Sequence, residues 1–279
     1  MTVYPLSFNI LGLPITGFGI MMMVAFLVSG WVMQRELTRR GLNGDYAADI
    51  VVGSVIGGIL GAKLWYVALQ GDTGALLSRG GLVWYGGFIG GAAAVLLQGW
   101  WKRIPTRFTL ELAAPGLALG HGLGRVGCFL VQDDYGIPTD LPWGMRFPEG
   151  LPPTTGQELA RLGVALPPDT SPFEVLAVHP TQLYEVTALL LMFWLLWRIR
   201  RHGHALGWLF GMYLVFVGIE RFLSEFVRAK DDRLLGGYTL AQAASVGAVL
   251  LGVILISRWW KSDGVSVRPE RALKPRAAD

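Results

Sequence analysis

Long apolar runs separated by short polar segments set the pattern of this chain. Seven such runs fall at about 16–34, 49–70, 82–101, 108–131, 181–199, 205–224 and 238–258. A helix needs about 20 mostly apolar residues to cross the hydrocarbon core of a bilayer. The runs also lack the period-two alternation of a barrel strand. The pattern therefore predicts an all-α polytopic membrane protein with seven transmembrane helices.

The predicted spans divide the chain into five parts. These are an external N-terminal segment (1–15), spans one to four (16–131), an external cap (132–180), spans five to seven (181–258) and a cytoplasmic tail (259–279). The cap is a long connection with nine prolines and several aromatic residues, which favours an ordered structure with one short helix near 155–163. The tail is expected to be disordered.

The distribution of basic residues predicts the orientation. With seven spans, all the basic clusters but one fall on one side, namely 35–40, 102–107, 198–201 and 258–276. The positive-inside rule makes this side cytoplasmic, so the N-terminus and the acidic cap lie outside. Because basic residues follow the first span, it is expected to stay as an anchor rather than be cleaved as a signal peptide. The external stretch 221–233 is nevertheless basic, and this exception indicates function.

Composition excludes several classes of protein. At 52% hydrophobic and 16% charged residues, with mean hydropathy +0.45, the chain is too apolar for an ordinary soluble domain. The single cysteine, Cys128, excludes an intramolecular disulfide. Since zinc-type Cys/His spacing and nucleotide-type glycine loops are both missing, we expect no metal and no cofactor. The basic balance reflects inner-face anchoring, so we expect no nucleic-acid partner.

Arg125 is the residue that is hardest to explain as a structural one. It lies near the end of the glycine-lined run Gly120-His-Gly-Leu-Gly-Arg-Val-Gly-Cys-Phe129 in the fourth predicted span. An arginine at the centre of a spanning helix costs roughly 2.5–3.5 kcal/mol on insertion scales, so it usually meets an anion. In a bilayer the natural candidate is a lipid phosphate.

Other polar residues are predicted to gather at the outer ends of the spans. Arg221, Glu225 and Arg228 are spaced i, i+4, i+7 and so share one helical face. The segment His179-Pro-Thr-Gln-Leu-Tyr-Glu185 opens the fifth span, with its proline near the first helical position. Asp133 and Asp134 follow the fourth span, Tyr85-Gly-Gly opens the third, and Lys63 and Tyr66 lie within the second. These groups could face one cavity.

Simpler readings stay open for most of these residues. Glu225 could instead form an ion pair within its own helix. Gln182 and Glu185 could instead neutralise Lys63 or cap a helix end. His121 also fits an interhelical hydrogen-bond donor, and Cys128 a small buried thiol. The glycines recur every four residues in two series, Gly53/Gly57/Gly61 and Gly116/Gly120/Gly124, which also fit helix packing alone. Glu111 and Glu220 receive no role.

The motifs together resemble the bacterial prolipoprotein diacylglyceryl transferase family. The resemblance rests on Tyr85-Gly-Gly-Phe-Ile-Gly90, Gly124-Arg-Val-Gly-Cys-Phe129 continuing to Asp133-Asp-Tyr-Gly136, the His179–Glu185 segment, and Glu220-Arg-Phe-Leu-Ser-Glu-Phe-Val-Arg228. Gly61-Ala-Lys-Leu-Trp-Tyr66 and Gly236-Gly-Tyr-Thr-Leu-Ala-Gln242 also look familial. The motifs cover about residues 15–258 and are specific in combination.

The resemblance implies an enzyme of the bacterial inner membrane with its active site toward the outer leaflet. Such enzymes move the diacylglyceryl group of phosphatidylglycerol onto the lipobox cysteine of a preprolipoprotein signal peptide, forming a thioether and releasing glycerol phosphate. The resemblance and the spacing assign catalysis to Arg125, Arg221, Tyr85 and His121. Phosphatidylglycerol binding is assigned to Arg125, Arg221, Glu225, Arg228, Asp133, Gly136, Gln182, Tyr184 and Lys63. The partners are the lipid, the signal peptide and the bilayer, and the oligomeric state is open.

Three departures from the family pattern concern the chemistry. Tyr85 stands where well-described members have a histidine proposed as the base, Phe18 where they have a tyrosine, and Cys128 where some have an asparagine. With a reference pKa near 10, tyrosine is a poor base at neutral pH. We therefore expect His121, one turn before Arg125, to take part of that histidine's role. The cap is expected to exclude water without supplying charge.

Two other functions fit the same residues. A transporter or lipid-binding protein could hold an anion with the same arginines, although a transport path should show polar residues through the whole membrane. A relative that keeps the lipid site but has lost its chemistry would also fit, given Tyr85 and Phe18.

Overall fold

Helices dominate the computed structural model, which describes residues 1–10, 13–71, 74, 83–230, 233–235, 238–261 and 273. Within this part the helices are α1 (Gly17–Arg39), α2 (Asp45–Gln70), α3 (Trp84–Trp101), α4 (Thr106–Val131), α5 (Gly156–Arg161), α6 (Thr181–Ile199), α7 (Trp208–Ser224) and α8 (Leu240–Arg258). Two antiparallel hairpins pair β1 (Ser7–Ile10) with β2 (Leu13–Thr16) and β3 (Arg233–Leu235) with β4 (Tyr238–Thr239).

The helices bear out the predicted class of protein. Each predicted span has a helix at its position, and α5 lies at the short helix expected in the cap. Four helices, α1, α2, α6 and α8, are long and apolar enough to cross a membrane. The chain is thus a mostly helical polytopic membrane protein. Of the predicted disordered tail, residues 262–279 fall outside the described residues except for Leu273.

The first helix differs most from its prediction. It ends at Arg39 rather than near residue 34, because Glu36 and Leu37 are buried and hold the extra turn against the bundle. Its start is set by Thr16, whose hydroxyl accepts the backbone N–H of Gly19. The preceding segment forms the β1–β2 hairpin, which the polarity pattern did not indicate.

Close helix pairs build the bundle. Helix α2 packs on α3, α1 on α4, α7 on α8, and α4 also packs against α6 and α7. At the α2–α3 contact, a Cβ on Gly57 would lie 2.5 Å from the carbonyl oxygen of Gly90. A Cβ on Gly90 would lie 2.3 Å from the carbonyl oxygen of Gly57. The glycines therefore let the two backbones touch.

One end of the bundle is held by two buried carboxylates. Glu36 on α1 pairs with Arg39, Arg40 and, across to the end of α6, with Arg200. Glu111 on α4 accepts the backbone N–H groups of Gly207 and Leu209 at 2.8 and 3.1 Å. Its other oxygen contacts His202 Nε2 at 2.6 Å. The two backbone hydrogen bonds to Glu111, together called the Glu111 anchor, fix the start of α7 against α4.

The cap has its own small core at the opposite end. Tyr135, Phe147, Leu159, Val178 and Ala229 are buried together. The start and end of the cap run antiparallel, with Thr139 donating its N–H to the carbonyl of Ala177 at 2.9 Å. These contacts give the 132–180 segment a packed core of its own. The cap closes over the ends of α4, α6 and α7, where the candidate site lies.

Candidate functional site

Arg125 lies near the C-terminal end of α4, among carboxylates from two other segments. Its Nε is 2.5 Å from Glu185 Oε2 on α6, and its Nη1 is 2.8 Å from Asp134 Oδ2. Glu185 is 2% exposed, so this pair is largely removed from water. The chain turns back to place Asp134 because Gln132 and Asp134 adopt φ of 64° and 56°. The guanidinium group is thus held between helix α6 and the turn that follows α4.

Arg228 joins the same carboxylates from the segment after α7. It pairs with Asp134 Oδ1, and its Nη1 lies 3.9 Å from Glu185 Oε1. Asp134 therefore bridges two guanidinium groups that are 103 residues apart in sequence (228 − 125). Their side chains are 13% and 9% exposed. Arg125 and Arg228 form the centre of a charged cluster.

Gly136 is what allows Arg228 to come this close. Gly136 and Arg228 form an antiparallel bridge, and the N–H of Ile137 donates to the carbonyl of Val227 at 2.9 Å. A Cβ on Gly136 would lie 2.5 Å from the carbonyl oxygen of Val227 and 2.7 Å from the Cβ of His179. A side chain at position 136 would push these segments apart.

Arg221 and Glu225 form the intrahelical pair that their spacing allows. Arg221 Nη2 lies 2.5 Å from Glu225 Oε2, and Arg221 Nη1 is 3.4 Å from Ser224 Oγ. Glu225 is 8% exposed. His121 lies one helical turn before Arg125 on α4, which packs against α7, the helix of Arg221. The simpler reading of Glu225 as an ion-pair partner is correct in this structure.

The start of α6 supports the turn that carries the aspartates. Gln182 Nε2 donates to the carbonyl of Asp133 at 2.5 Å, and Thr181 Oγ1 donates to the carbonyl of Asp134 at 2.7 Å. Tyr184 stands under the cap, where its hydroxyl accepts from Trp143 Nε1 at 2.7 Å and lies 3.2 Å from His179 Nδ1. The side chain of Gln182 therefore binds the backbone of the turn that carries the two aspartates.

The two adjacent aspartates have opposite environments. Burial and the neighbouring charge of Asp134 raise the pKa of Asp133 above its usual value. For Asp134 burial acts in the same direction, but the Arg228 and Arg125 guanidinium groups outweigh it and lower the pKa. Asp134 is therefore a firmly ionised partner of the arginines. Asp134 belongs to the cap segment, so this segment contributes one carboxylate to the arginine cluster.

The remaining predicted residues lie on the α2–α3 pair or beside α4. Lys63 is on α2, with Nζ 5.8 Å from the ring centroid of Tyr66, and Tyr85 is on the first turn of α3 with 54% exposure. The contacts described above instead join α4, α6, α7 and the cap. Phe18 packs against Gly127 on α4, since a Cβ added at Gly127 would lie 3.2 Å from the Cα of Phe18.

Cys128 is a buried free thiol, which agrees with its interpretation as a small packing residue. It lies with Asp133 and Asp134 in a group whose ligand atoms are within 4.8 Å of one another. Both oxygens of Asp134 already face guanidinium groups, and Arg125 Nη1 is 3.8 Å from the Cys128 sulfur. Because the guanidinium groups place positive charge beside these ligand atoms, the group is poorly suited to bind a metal ion.

Asp134 and Glu185 were named among the polar groups of the cavity but received no catalytic or binding role, yet they pair with its arginines. A signal was present, because Asp134 follows Asp133 in the familial motif and Glu185 ends the His179–Glu185 segment. Spacing along one helix, however, carries no information about which carboxylate a second helix presents.

Known proteins resemble the chain over nearly its whole length. The model of the family described as prolipoprotein diacylglyceryl transferase matches residues 5–258. Relatives named phosphatidylglycerol–prolipoprotein diacylglyceryl transferase include one from Clostridium tetani, 31% identical over 91% of this chain and 96% of the relative. Others come from Geobacter sulfurreducens, 32% identical (91% and 95% covered), and Pseudomonas fluorescens, 33% identical (90% and 92% covered).

Proposed function

Since this chain belongs to the prolipoprotein diacylglyceryl transferase family, we propose that the arginine cluster at the outer end of α4 and α7 is its active site. The enzyme transfers the diacylglyceryl group of phosphatidylglycerol to a prolipoprotein, the first step of lipoprotein maturation. The acceptor is the lipobox cysteine of the signal peptide. The observation that carries the assignment is the meeting of Arg125 and Arg228 on shared carboxylates, with Arg221 beside them.

Phosphatidylglycerol binds when its phosphate takes over guanidinium contacts from the carboxylates. Arginine presents a planar fork that matches two phosphate oxygens and stays protonated. Asp134 is 39% exposed and lies on a loop, whereas Glu185 is buried on a helix, so Asp134 is the partner that yields. Arg125 and Arg221 then face the leaving phosphate, and Arg228, Glu225, Asp133, Gly136, Gln182 and Tyr184 shape its surroundings.

The chemistry is displacement at carbon by a thiolate. A free thiol has a pKa of about 8.5, so nearby guanidinium groups increase the small thiolate fraction present at neutral pH. The thiolate attacks the glyceryl carbon, and the carbon–oxygen bond breaks with its electron pair on the phosphate oxygen. Arginines that face this oxygen stabilise the charge that develops there. His121 contacts the thiol in place of the family histidine, while Tyr85 and Lys63 line the approach from α2 and α3.

The arrangement in the membrane follows from the two ends of the bundle. We place seven spans across the bacterial inner membrane, with the N-terminus and the cap outside and the C-terminus in the cytoplasm. Arg39, Arg40 and Arg200 meet at one end around Glu36, as expected for a cytoplasmic face. The arginine cluster at the opposite end then faces the outer leaflet, where a side opening between helices admits both lipid-borne substrates.

The proposal is tested with purified protein, phosphatidylglycerol vesicles and a lipobox peptide, followed by mass spectrometry of the peptide cysteine. Wild-type protein should add one diacylglyceryl group. Arg125→Ala and Arg221→Ala should each lower the rate by about 10²–10³-fold, because each removes a donor to the developing charge. Lys102→Ala, at the opposite end of the bundle, should keep full activity.

Further variants separate lipid binding from chemistry. His121→Ala should lower the transfer rate while phosphatidylglycerol still binds, and Tyr85→His should keep or raise it. Full activity of His121→Ala alongside inactive Arg125→Ala would remove His121 from the site. Wild-type protein that binds the lipid yet never modifies the peptide would instead identify a relative without chemistry.

A further inference from the structure

Glu220 is a buried carboxylate that the arginine cluster leaves without a partner. Three guanidinium groups in the cluster are matched by three carboxylates, Asp134, Glu185 and Glu225. Both carboxylate oxygens of Glu220 are buried, and no described residue gives them a hydrogen bond or an ion pair. Its neighbour in sequence, Arg221, pairs with Glu225 instead.

Glu220 lies on the face of α7 that is turned toward the arginine cluster. Gly218 packs on α8, since a Cβ there would lie 2.7 Å from Val249 Cγ2. Two positions later along a helix the direction has turned by about 200°, so Glu220 faces away from α8. It shares its face with Leu209 and Tyr213, which belong to the core that α4, α6 and α7 form with the end of α8. Glu220 therefore lies on the side of α7 that packs against α4 and α6, the helices of Arg125 and Glu185.

The Glu111 anchor gives the height of Glu220 in the bundle. It joins Glu111 on α4 to the N–H of Leu209 on α7, and both helices run outward from there. At about 1.5 Å per residue, His121 lies about 15 Å and Arg125 about 21 Å beyond Glu111. On the same count Glu220 lies about 16 Å beyond Leu209. Glu220 is therefore level with the stretch between His121 and Arg125.

We propose that Glu220 is the catalytic base that accepts the proton of the substrate thiol; this rests on the proposed function. A base needs an oxygen with a free lone pair close to the reacting atom. Glu185 and Glu225 are held by arginines, whereas both oxygens of Glu220 are open. His121, at the same level on α4, orients the thiol by a hydrogen bond.

The proton and the electron pairs balance in this scheme. The S–H bond breaks and its proton moves to Glu220, while the sulfur keeps the electron pair. The thiolate forms the bond to the glyceryl carbon, and the phosphate oxygen takes the electrons of the broken carbon–oxygen bond. Glu220 then releases its proton to the phosphate monoester or to water, which restores the carboxylate.

The test compares Glu220→Gln with wild type, using Glu174→Gln on the exposed cap as the matched control. Glu220→Gln keeps the shape but cannot accept a proton, so its rate should fall about 10²–10⁴-fold. Phosphatidylglycerol binding and the melting temperature should not fall, because the change removes an unpaired carboxylate. Glu174→Gln should match wild type.

Chemical rescue distinguishes a base from a structural residue. A selenocysteine lipobox peptide carries a nucleophile that is already ionised at neutral pH, so it should restore most of the rate of Glu220→Gln. With the cysteine peptide, the rate of Glu220→Gln should rise about tenfold per pH unit below the thiol pKa of about 8.5.

The outcomes separate this inference from the proposed function. An inactive wild-type enzyme overturns both. An active wild type with an equally active Glu220→Gln overturns the role of Glu220 alone. A slow Glu220→Gln that the selenocysteine peptide does not rescue also overturns it.

Discussion

The arginines of the site reach each other through carboxylates rather than through helix spacing. Arg125 and Arg228 meet on Asp134, which is exposed enough to exchange, and on Glu185, which is not. Neighbouring acids in the turn therefore differ in role. Asp134 is an ion-pair partner, while Asp133 has a buried oxygen, Oδ1, without a hydrogen bond among the described residues.

Substituting each aspartate by asparagine should change stability in opposite directions. At pH 7, Asp134→Asn should lower the melting temperature in detergent because two arginines lose a partner. Asp133→Asn should leave it unchanged or raise it, since a charge that burial disfavours is removed. Equal losses in both variants would contradict these assignments.

The pH dependence gives each aspartate its own window. The lowered pKa of Asp134 means that its stabilisation is complete above its unfolded value of 3.8 and is lost only as the pH falls through the lower folded value. The raised pKa of Asp133 means that the folded state holds its proton above 3.8, so stability falls as the pH rises through that window. Asp133→Asn should abolish that fall, and melting curves across this range would measure it.

At the residue scale, the sequence predicted pairs within one helix and a gathering of polar groups from several helices, but not which side chains pair between helices. The Arg221–Glu225 pair follows from an i, i+4 spacing. Glu185 and Asp134 as partners of Arg125 do not, because their contact depends on how α4 and α6 are rotated toward each other. Glu220 had no assigned role because a carboxylate next to an arginine in sequence does not reveal which residue that arginine pairs with.

At the scale of elements, backbone contact between α2 and α3 is the clearest result of the glycine series. Gly53 approaches Gln98, and Gly57 and Gly61 approach the backbone of Gly90 and Gly86. In the other series, Gly120 lies close to Ser29 on α1. The alternative of helix packing thus accounts for the spacing, and the sequence pattern located both stripes correctly.

A methyl group at the α2–α3 contact should separate the two helices. Gly57→Ala would place Cβ 2.4 Å from Ala94 Cβ and 2.5 Å from the carbonyl of Gly90, and backbone cannot move cheaply. We expect a loss of about 1–3 kcal/mol in unfolding free energy. Gly247→Ala on α8, where a Cβ meets nothing within 4 Å, is the control and should be neutral or stabilising by up to about 1 kcal/mol. Similar behaviour of the two variants would show that the contact is not tight.

Element boundaries were predicted least well where tertiary contacts set them. Helix α6 begins at Thr181 and ends at Ile199, as its apolar run indicates. Helix α1 continues beyond its apolar run because Glu36 is buried among arginines. A hydropathy pattern treats such charged residues as the end of a span. The β1–β2 hairpin is held by pairing between chain segments, and composition alone carries no trace of that.

At the scale of the whole molecule, the cap and the bundle form one continuous packing. The N-terminal segment is tied to the cap, since Val3 donates its N–H to the carbonyl of Arg146 at 3.0 Å. Ile137 in turn bonds the segment after α7. From its prolines and aromatic residues the sequence predicted an ordered cap, and it named Asp134 as a candidate, but it did not predict that Asp134 pairs with both Arg125 and Arg228.

Removing most of the cap should separate water exclusion from lipid binding. Thr139 and Ala177 are hydrogen-bonded neighbours, so an Asn-Gly turn can replace residues 140–176. The shortened protein keeps Asp134 and all three arginines. It should still bind phosphatidylglycerol vesicles but transfer less diacylglyceryl group, because water enters the site. Undiminished transfer, measured by mass spectrometry of the peptide, would show that the cap does not seal the reaction.

Because the arginines are already paired with carboxylates, an anion must compete with these carboxylates to bind at the proposed lipid site. Phosphate from solution must displace Asp134 with nothing but its own charge, whereas a lipid adds acyl chains worth about 0.8 kcal/mol for each methylene it buries. We therefore expect soluble phosphate compounds to inhibit the transfer only weakly. In the proposed site, preference for membrane-borne headgroups comes from this competition with Asp134.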